Sequence, residues 1–415
     1  MSQNEGHFEA FEPHTLLKHA ILRAYLHAWA MKLLLWSQAG DTVYFVDAFA
    51  GAGQDDEGNP GSPLIAAHIA AGVPTAVARV GRGRQGRMRV RAIEQHAGRH
   101  AALARLLEPF GEVDRAMARA GRGVLADYID RMDKEIGAAP ALYFLDPFGV
   151  KGLDAATYPK LLEGPQNEIF ALFADMGATR LHGLVVASRS DVEGQIAKLR
   201  EQATLFPELE AELEQAVRDA AAQRNQALDI SQAPSREYLI RALGDEGVIA
   251  EMEALPPDER PDAFVGAFIK ALLRAGARYV LTIPIRNAQG QRVYTLVHAS
   301  KSAKGFAAMK EAVSAGLDNA ELPAEMRERM RGDLAVPMEA VVQHLGTQFA
   351  GQVEVAWTGG KGQEPGTVRC HLLEETPVFH FQLSAIRDAL AAAGILRKGP
   401  RGKQLCTFPA TPGHA

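Results

Sequence analysis

Cysteine is almost absent from this chain. Two residues in 415, Cys370 and Cys406, cannot build a disulfide framework or a four-sulfur zinc site, and they fit a reducing, cytoplasmic setting. An excess of one charge is missing too. Lysine and arginine number 45 against 50 acids, a formal charge of −5, so the molecule is no generic polyanion binder and any nucleic-acid surface must be local. No apolar run reaches the length of a membrane span; Leu33–Leu35 with Trp36 is too short and sits in an amphipathic pattern. The opening MSQNEGHFEAFEPH has neither a basic n-region nor an apolar h-region, so no signal peptide is expected. Repeats and low-complexity tracts are lacking. What is present is a globular composition, 47% hydrophobic and 23% charged, long enough for two domains or one large domain with an appendage.

The remainder is arranged around Asp41–Gly53, DTVYFVDAFAGAG. Thr42–Val46 is apolar, β-branched or aromatic, as a core strand of a parallel sheet should be. Asp47 stands at its carboxyl end. Phe49, Gly51 and Gly53 follow in a turn whose glycines let the backbone bend and a ligand approach main-chain N–H groups. An acid at the mouth of such a turn suits a cationic or hydroxyl-bearing ligand better than a bare phosphate. A second strand end of this kind is LYFLDPFG, Leu142–Gly149. Pro147 removes a donor and fixes the chain, so the Asp146 carboxylate and the preceding carbonyls are expected to be free to accept hydrogen bonds. An amino group on a planar substrate would suit them, with Phe148 as a stacking face.

Residues 15–38 predict one long helix with Leu16, Ile21, Tyr25, Ala28, Trp29, Leu33 and Trp36 inward. Lys18, His19 and Tyr25 are read as packed positions with a solvated edge before they are read as pocket-lining. Ser62 is expected to cap the next helix, with Pro63 at its first position. The eight residues 54–61 between Gly53 and that helix depart from the dinucleotide-binding fingerprint. Met88–Ile93 predicts a second strand ending in Glu94, an acid placed to bind ribose hydroxyls. Arg79, Arg82, Arg84, Arg87, Arg89 and Arg91 make a local basic face, either phosphate-tracking or merely solvated. Val113–Ala118 is expected as a third strand, and Val124–Ile136 as a helix with Leu125, Ile129, Met132 and Ile136 inward and Asp127 upon it. Ala141–Leu145 and Glu168–Phe173 read as strands. Residues 190–275 read as a helical insertion capping the site, with Tyr238 and Phe264 in its core.

Ala277–Ile285 and Val293–Ala299 flank a short turn and must pair as a hairpin, because a parallel pair needs a long crossover. An antiparallel pair closing a parallel sheet argues against an NAD-dependent oxidoreductase. It matches the sixth and seventh strands of a class I S-adenosylmethionine (SAM) methyltransferase, an α/β, Rossmann-like sheet. Beyond about residue 316 the composition changes. Val336–Phe349 and Gln382–Ala393 predict helices, and GILRKGPRGKQLCTF predicts a hairpin with a basic tip at Arg397, Lys398, Arg401 and Lys403. Helix, helix and basic β-wing describe a winged helix, a module that binds nucleic acid or protein. The expected division is 1–316, with the insertion, and 317–415.

In order along roughly the first 316 residues, KHAILRAYLHAW, YFVDAFAGAG, GSPLIA, FLDPFGVKG and YTLVHASKSAKGFAAMK together resemble the three-Cys-motif partner protein family, a methyltransferase-like family. The resemblance implies a SAM-binding class I fold and pairing with a radical-SAM-like protein bearing three cysteines; it implies no particular substrate. Asp47, Phe49, Gly51 and Gly53 match the first SAM motif, and Glu94 the ribose-binding acid. Asp146, Pro147 and Phe148 with Gly149 resemble the Asp-Pro-Pro-Tyr motif of amino-directed nucleic-acid methyltransferases; an Asp-Pro-Phe-Gly form also occurs in a tRNA guanine dimethyltransferase family. Where that pattern has an acid after the third strand, Arg-Ala-Gly-Arg-Gly stands here, leaving adenine recognition unassigned. The expectation is methyl transfer from SAM to a nucleobase nitrogen, DNA or RNA alike, with Arg82, Arg84, Arg87, Arg397, Lys398 and Arg401 on the nucleic acid. The alternative is a non-catalytic SAM-fold partner or nucleic-acid-binding protein in a phage or defence-type module.

Overall fold

The computed structural model describes residues 12–36, 40–81, 83–113, 117–147, 149–174, 237–256, 259–287, 289–357, 366–399 and 403–409. Its centre is a seven-stranded sheet in the order β3-β2-β1-β4-β5-β7-β6. The strands are β1 (Thr42–Asp47), β2 (Arg87–Glu94), β3 (Ala118–Arg122), β4 (Ala141–Leu145), β5 (Glu168–Phe173), β6 (Tyr279–Arg286) and β7 (Arg292–Ser300). The first five run parallel; β7 pairs antiparallel with both β5 and β6. This is the class I methyltransferase sheet that the hairpin argument anticipates.

Side chains alternate along each strand, so the sheet feeds two cores. Val43 and Phe45 of β1, Leu142 and Phe144 of β4, and Phe170 of β5 belong to one face. That face is covered by α1 (Pro13–Trp36), α2 (Ser62–Val80) and the helix Ala303–Asn319. Tyr44 and Val46, Tyr143 and Leu145, and Ile169 and Phe173 belong to the other face, under α4 (Leu125–Ile136) and the helix Arg260–Arg274. On the first face, Phe45, Phe144 and Phe170 form a row of rings with successive centroids 6.1 and 5.5 Å apart. Contrary to the expectation that no apolar run is long enough, helix α2 could span a membrane by length and composition alone, yet its Leu64, Ala67, Ala70 and Val77 lie in the first core.

Several expectations need correction. Trp36 ends α1 exposed, not inward. Ser62 is the first residue of α2 rather than its cap; Gly61 holds the cap position. The third strand is not Val113–Ala118: α3 (Ala97–Val113) runs through its start, and Arg-Ala-Gly-Arg is itself the end of β3. Nothing apolar marks that segment, and its extended form comes from pairing Val90–Glu94 with Ala118–Arg122. Residues 175–236, most of the expected insertion, lie outside the described residues; Phe264, fully buried, and Tyr238, partly so, belong to the second core under the sheet and not to a core of the insertion's own.

The first core extends through Met326, Met330 and Leu334 of the helix Ala324–Leu334. A third core then forms around Val341, Leu345, Trp357, Leu372, Ile386, Leu390 and Phe408. Its elements follow as the helix Met338–Gln348, β8 (Val355–Ala356), the helices Val368–Glu375 and Leu383–Ala392, then β9 (Leu396–Lys398) and β10 (Gln404–Cys406), with sheet order β8-β10-β9. The sequence reading missed β8 and the eight-residue helix after it. Thr367 caps that helix, its hydroxyl accepting from Cys370 N–H at 3.2 Å. Lys310 ties the module to the first core: its buried Nζ donates to the carbonyls of Thr376 (2.5 Å) and Leu372 (3.4 Å) at a helix carboxyl end, while burial presses its pKa down to about 7.

Candidate functional site

Three acids meet at the carboxyl ends of three adjacent strands. Asp47 ends β1 and is flanked in register by Ala92 of β2 and Phe144 of β4. Glu94 and Asp146 each stand two residues beyond those partners. Strand order reverses direction between β1 and β4, the crevice where open α/β sheets place their ligands.

Asp47 is sealed from solvent. Its Oδ1 accepts the Phe49 N–H at 3.2 Å, and its Oδ2 has no partner. Burial pushes the carboxyl up to about 7, against the Ser62 hydroxyl and the Phe49 amide; Asp146 raises it further and Lys18 lowers it. An oxygen with no partner at hydrogen-bond distance leaves room for a further donor beside the Ser62 hydroxyl. An ammonium group, direct or through water, is such a donor and would also favour the ionised form.

Glu94 is held from both sides. Its Oε2 accepts the Gly51 N–H at 3.0 Å and its Oε1 the His96 N–H at 2.6 Å. The carboxylate therefore braces the glycine turn, and the Gly51 amide is already engaged rather than open to a ligand. Each carboxylate oxygen keeps a further lone pair, so Glu94 can still accept from hydroxyls. Gly51 and Gly53 have φ of +63° and +93°, the left-handed region that side chains disfavour. A Cβ on Gly51 would meet nothing within 4 Å, so the turn is open there. Phe49 packs the other way: its ring fills the space a Cβ on Gly152 would need.

Asp146 is not free, contrary to the sequence reading. Lys18, reaching down from α1, places its Nζ 2.5 Å from Asp146 Oδ2. The two side chains are 11% and 19% exposed, so this pair, unlike Asp47, faces reachable space. Tyr294 of β7 closes the far side. Its hydroxyl donates to the His14 carbonyl at 3.0 Å, and burial, with Asp146 nearby, raises its pKa well above the usual range. His19, beside Lys18, is kept neutral: burial first, then Lys18 and Arg23, press it down to about 3. The sequence reading preferred a packed position for Lys18 over a pocket-lining one, and the contact with Asp146 reverses that preference; His14 carried no signal, and Tyr294 reads only as a strand residue.

Farther down α1 a sealed polar cluster binds the helix to the sheet. Tyr25 donates its hydroxyl to Glu168 Oε2, and Ser300 donates to Oε1 at 2.8 Å. His298 Nε2 lies 3.1 Å from both Glu168 Oε2 and the Tyr25 hydroxyl. All four residues are buried, which makes this cluster a structural lock.

The remaining candidate residues scatter. Pro147 is buried behind Asp146. Phe148, Arg82 and Arg401 lie outside the described residues. Arg84 donates to the Leu35 carbonyl, and Arg87 pairs with Asp41 at 3.4 Å. Both stand at the amino ends of the strands, away from the three acids. Arg89 and Arg91 turn into the second face, over the Tyr44 ring, with Arg91 Nε 2.9 Å from Glu135. Arg397 and Lys398 are exposed on β9. Asp127 caps α4, accepting the Val124 N–H at 3.3 Å. Among the described residues no group of three or more His, Cys, Asp or Glu could hold a metal ion.

No protein-family model and no curated protein matches this chain. Among solved structures it is similar to an O-methyltransferase from Bacillus cereus in complex with SAH, at 10% identity over 66% of this chain and 80% of that one, TM-score 0.28. A putative O-methyltransferase from Klebsiella pneumoniae matches at 10% identity over 69% and 90%, TM-score 0.27. A geranyl diphosphate methyltransferase in complex with GPP and sinefungin matches at 12% identity over 66% and 77%, TM-score 0.21. Likeness this loose adds nothing to the strand order, on which the fold reading stands.

Proposed function

We propose that this protein is a SAM-dependent methyltransferase acting on a nucleobase nitrogen. One observation carries the reading. Asp47, Glu94 and Asp146 converge at the switch point of a 3-2-1-4-5-7-6 sheet, with the buried Asp47 Oδ2 lacking a donor. SAM supplies an electrophilic methyl group on a sulfonium, together with an ammonium and two ribose hydroxyls. Asp47 would bind the ammonium, directly or through water, and the braced Glu94 carboxylate would accept from the hydroxyls. Asp146 would accept a hydrogen bond from the target amine and orient its lone pair toward the methyl group. Bound there, SAM would supply the methyl group, the C–S electron pair leaving with sulfur, and Asp146 would hold the amine N–H and pass its proton to solvent. Orientation then supplies most of the acceleration. A base within a duplex would have to be flipped out to reach Asp146.

The carboxy-terminal module fits a winged helix by its order of helix, strand, two helices and two strands, with Arg397 and Lys398 on the wing. On this reading it presents nucleic acid to the site, and a three-Cys-motif radical-SAM-like protein is the working partner. The Lys18–Asp146 pair favours a second reading, since it already occupies one oxygen of the carboxylate that would receive the target amine. That reading is a non-catalytic SAM-fold partner or nucleic-acid-binding protein in a phage or defence-type module.

Calorimetric titration of SAM into the wild type, Asp47→Ala and Asp146→Ala separates them. Catalysis requires that the wild type bind SAM, that Asp47→Ala lose most of the affinity, and that Asp146→Ala keep affinity but transfer no methyl to nucleic acid. A folded wild type that binds no SAM establishes the second reading. Methylation surviving in Asp146→Ala removes Asp146 from the mechanism.

A further inference from the structure

Resting on the nucleobase reading, we infer that Lys18 is a specificity-determining residue that donates to the ring nitrogen beside the target amine, so that the site takes the amino edge of adenine or cytosine. The observation is a donor and an acceptor held side by side at reachable space. Lys18 Nζ lies 2.5 Å from Asp146 Oδ2, and both side chains remain partly exposed. An ammonium has three N–H donors and accepts nothing. One is spent on Asp146, leaving two. A carboxylate only accepts; Oδ2 serves Lys18, which leaves Oδ1 to serve a ligand.

Such a pair fits an edge that offers N–H next to a lone pair. In adenine the exocyclic N6 amine neighbours ring N1, and in cytosine the N4 amine neighbours ring N3. Either base can give an amine N–H to Asp146 Oδ1 and take a Lys18 N–H on the ring nitrogen. Guanine is the poorer match: on its Watson–Crick edge the N2 amine neighbours N1–H, a donor that would meet the ammonium head on, and its other neighbour, the acceptor N3, lies on the sugar edge where the ribose crowds the approach. Uracil and thymine have no exocyclic amine. The arrangement also answers why the protein closes its own acceptor: Lys18 occupies one oxygen and steers the base onto the other.

Lys18 is fixed firmly enough to discriminate. Helix α1 is anchored below it by Tyr25 on Glu168 and, at its end, by Arg84 on the Leu35 carbonyl. His19 beside it is neutral, so Lys18 is the cation this stretch of helix sends to the site.

The test uses the full-length protein, SAM with a labelled methyl group, and single-stranded DNA and RNA oligonucleotides. Each oligonucleotide carries adenine, cytosine or guanine as its only amino-bearing base. In a second set, 1-deazaadenine or 3-deazacytosine replaces the accepting base, which deletes the ring acceptor and keeps the amine. The expected result is label in adenine or cytosine and none in guanine. The deaza base slows the wild type by roughly 10- to 100-fold, the discrimination a good pair of base contacts supplies. Lys18→Met, slower overall with SAM affinity kept, treats natural and deaza bases alike; Lys18→Arg, still a donor, keeps discriminating. Label in guanine, or a wild type indifferent to the deaza base, overturns the role of Lys18 and leaves the nucleobase reading standing. A protein that binds SAM and labels no base overturns both. Should Lys18→Met not fold, the wild-type deaza ratio decides alone.

Discussion

Replacing Asp47 by asparagine should stabilise the ligand-free protein increasingly as pH rises, while costing it SAM. The carboxyl is sealed, and burial raises it from 3.8 to about 7 in the fold. A folded-state pKa above the unfolded value means that the native state holds its proton longer. Between about 4 and 7 the unfolded chain releases a proton that the native chain keeps, so Asp47 costs stability at about 1.4 kcal/mol per pH unit. Above 7 the cost is complete at about 4 kcal/mol, and below 4 it vanishes. An amide has no such titration. With about 2.1 cal/mol/K of unfolding entropy per residue over 415 residues, 1 kcal/mol moves Tm by roughly 1 °C. Calorimetric melts of wild type and Asp47→Asn should therefore show a Tm gap that shifts in favour of the variant by about 3 °C between pH 5 and 8. The slope of the gap is the test, because the amide brings an unpaired N–H of its own that offsets its size at every pH. SAM should act in the opposite sense: its ammonium needs the ionised acid, so wild-type affinity falls as pH drops below 7. A gap that is constant with pH, or that moves in favour of the wild type as pH rises, would refute the reasoning.

Other residues give sharper structural tests. A Cβ on Gly305 would press into Glu168 Oε1 and lie 2.8 Å from Ser300 Oγ, so Gly305→Ala should cost about 1–3 kcal/mol in a denaturant melt. Gly332 has open space around it, and Gly332→Ala should gain about 0.5–1 kcal/mol; equal effects at the two sites would contradict the packing. Tyr25→Phe removes a donor from the buried Glu168 and should cost about 1–3 kcal/mol, with no change in melting counting against the lock. Lys310→Ala deletes a buried stem and its bonds to two carbonyls, so hydrogen exchange of the helix Val368–Glu375 should accelerate by at least about tenfold; unchanged protection would show that Lys310 does not dock the module.

What could be read from the sequence divides along physical lines. β4 and β5 have the expected bounds, and α4 differs only in that Val124 is its cap and not its first residue, because their apolar runs are complete and end at proline, glycine or a change of period. The strand-end acids were legible for the same reason: a buried strand that stops at Asp47, Glu94 or Asp146 points the acid at the sheet edge. β3 was not legible, since Arg-Ala-Gly-Arg owes its extension to β2 and not to its own side chains. The arginines held an unused signal. Arg89 and Arg91 alternate within a strand and so share one face, and that face looks toward Glu135 of α4 rather than toward solvent. Lys18 had no signal of this kind, because its partner is set by how α1 lies on the sheet.

That lie is decided far away in the chain, which yields a last prediction. Helix α1 crosses the helix Ala303–Asn319 so closely at Gly316 that a Cβ there would stand 2.7 Å from Ile21 Cγ1 and 3.1 Å from Ile21 N. The side chain could swing aside, but the backbone nitrogen could not, so Gly316→Ala must push α1 outward. Ile21 is one turn below Lys18, and displacement there carries the ammonium away from Asp146. Asp47, Glu94 and the glycine turn belong to the sheet and stay in place. SAM affinity should then remain within about twofold, while turnover falls by up to about 100-fold, the loss that a misplacement near 1 Å can bring. Single-turnover methylation beside a SAM titration reads the two quantities separately. Equal loss of both would mean a general disturbance, and full turnover would mean that the position of Lys18 on Asp146 does not matter to the chemistry.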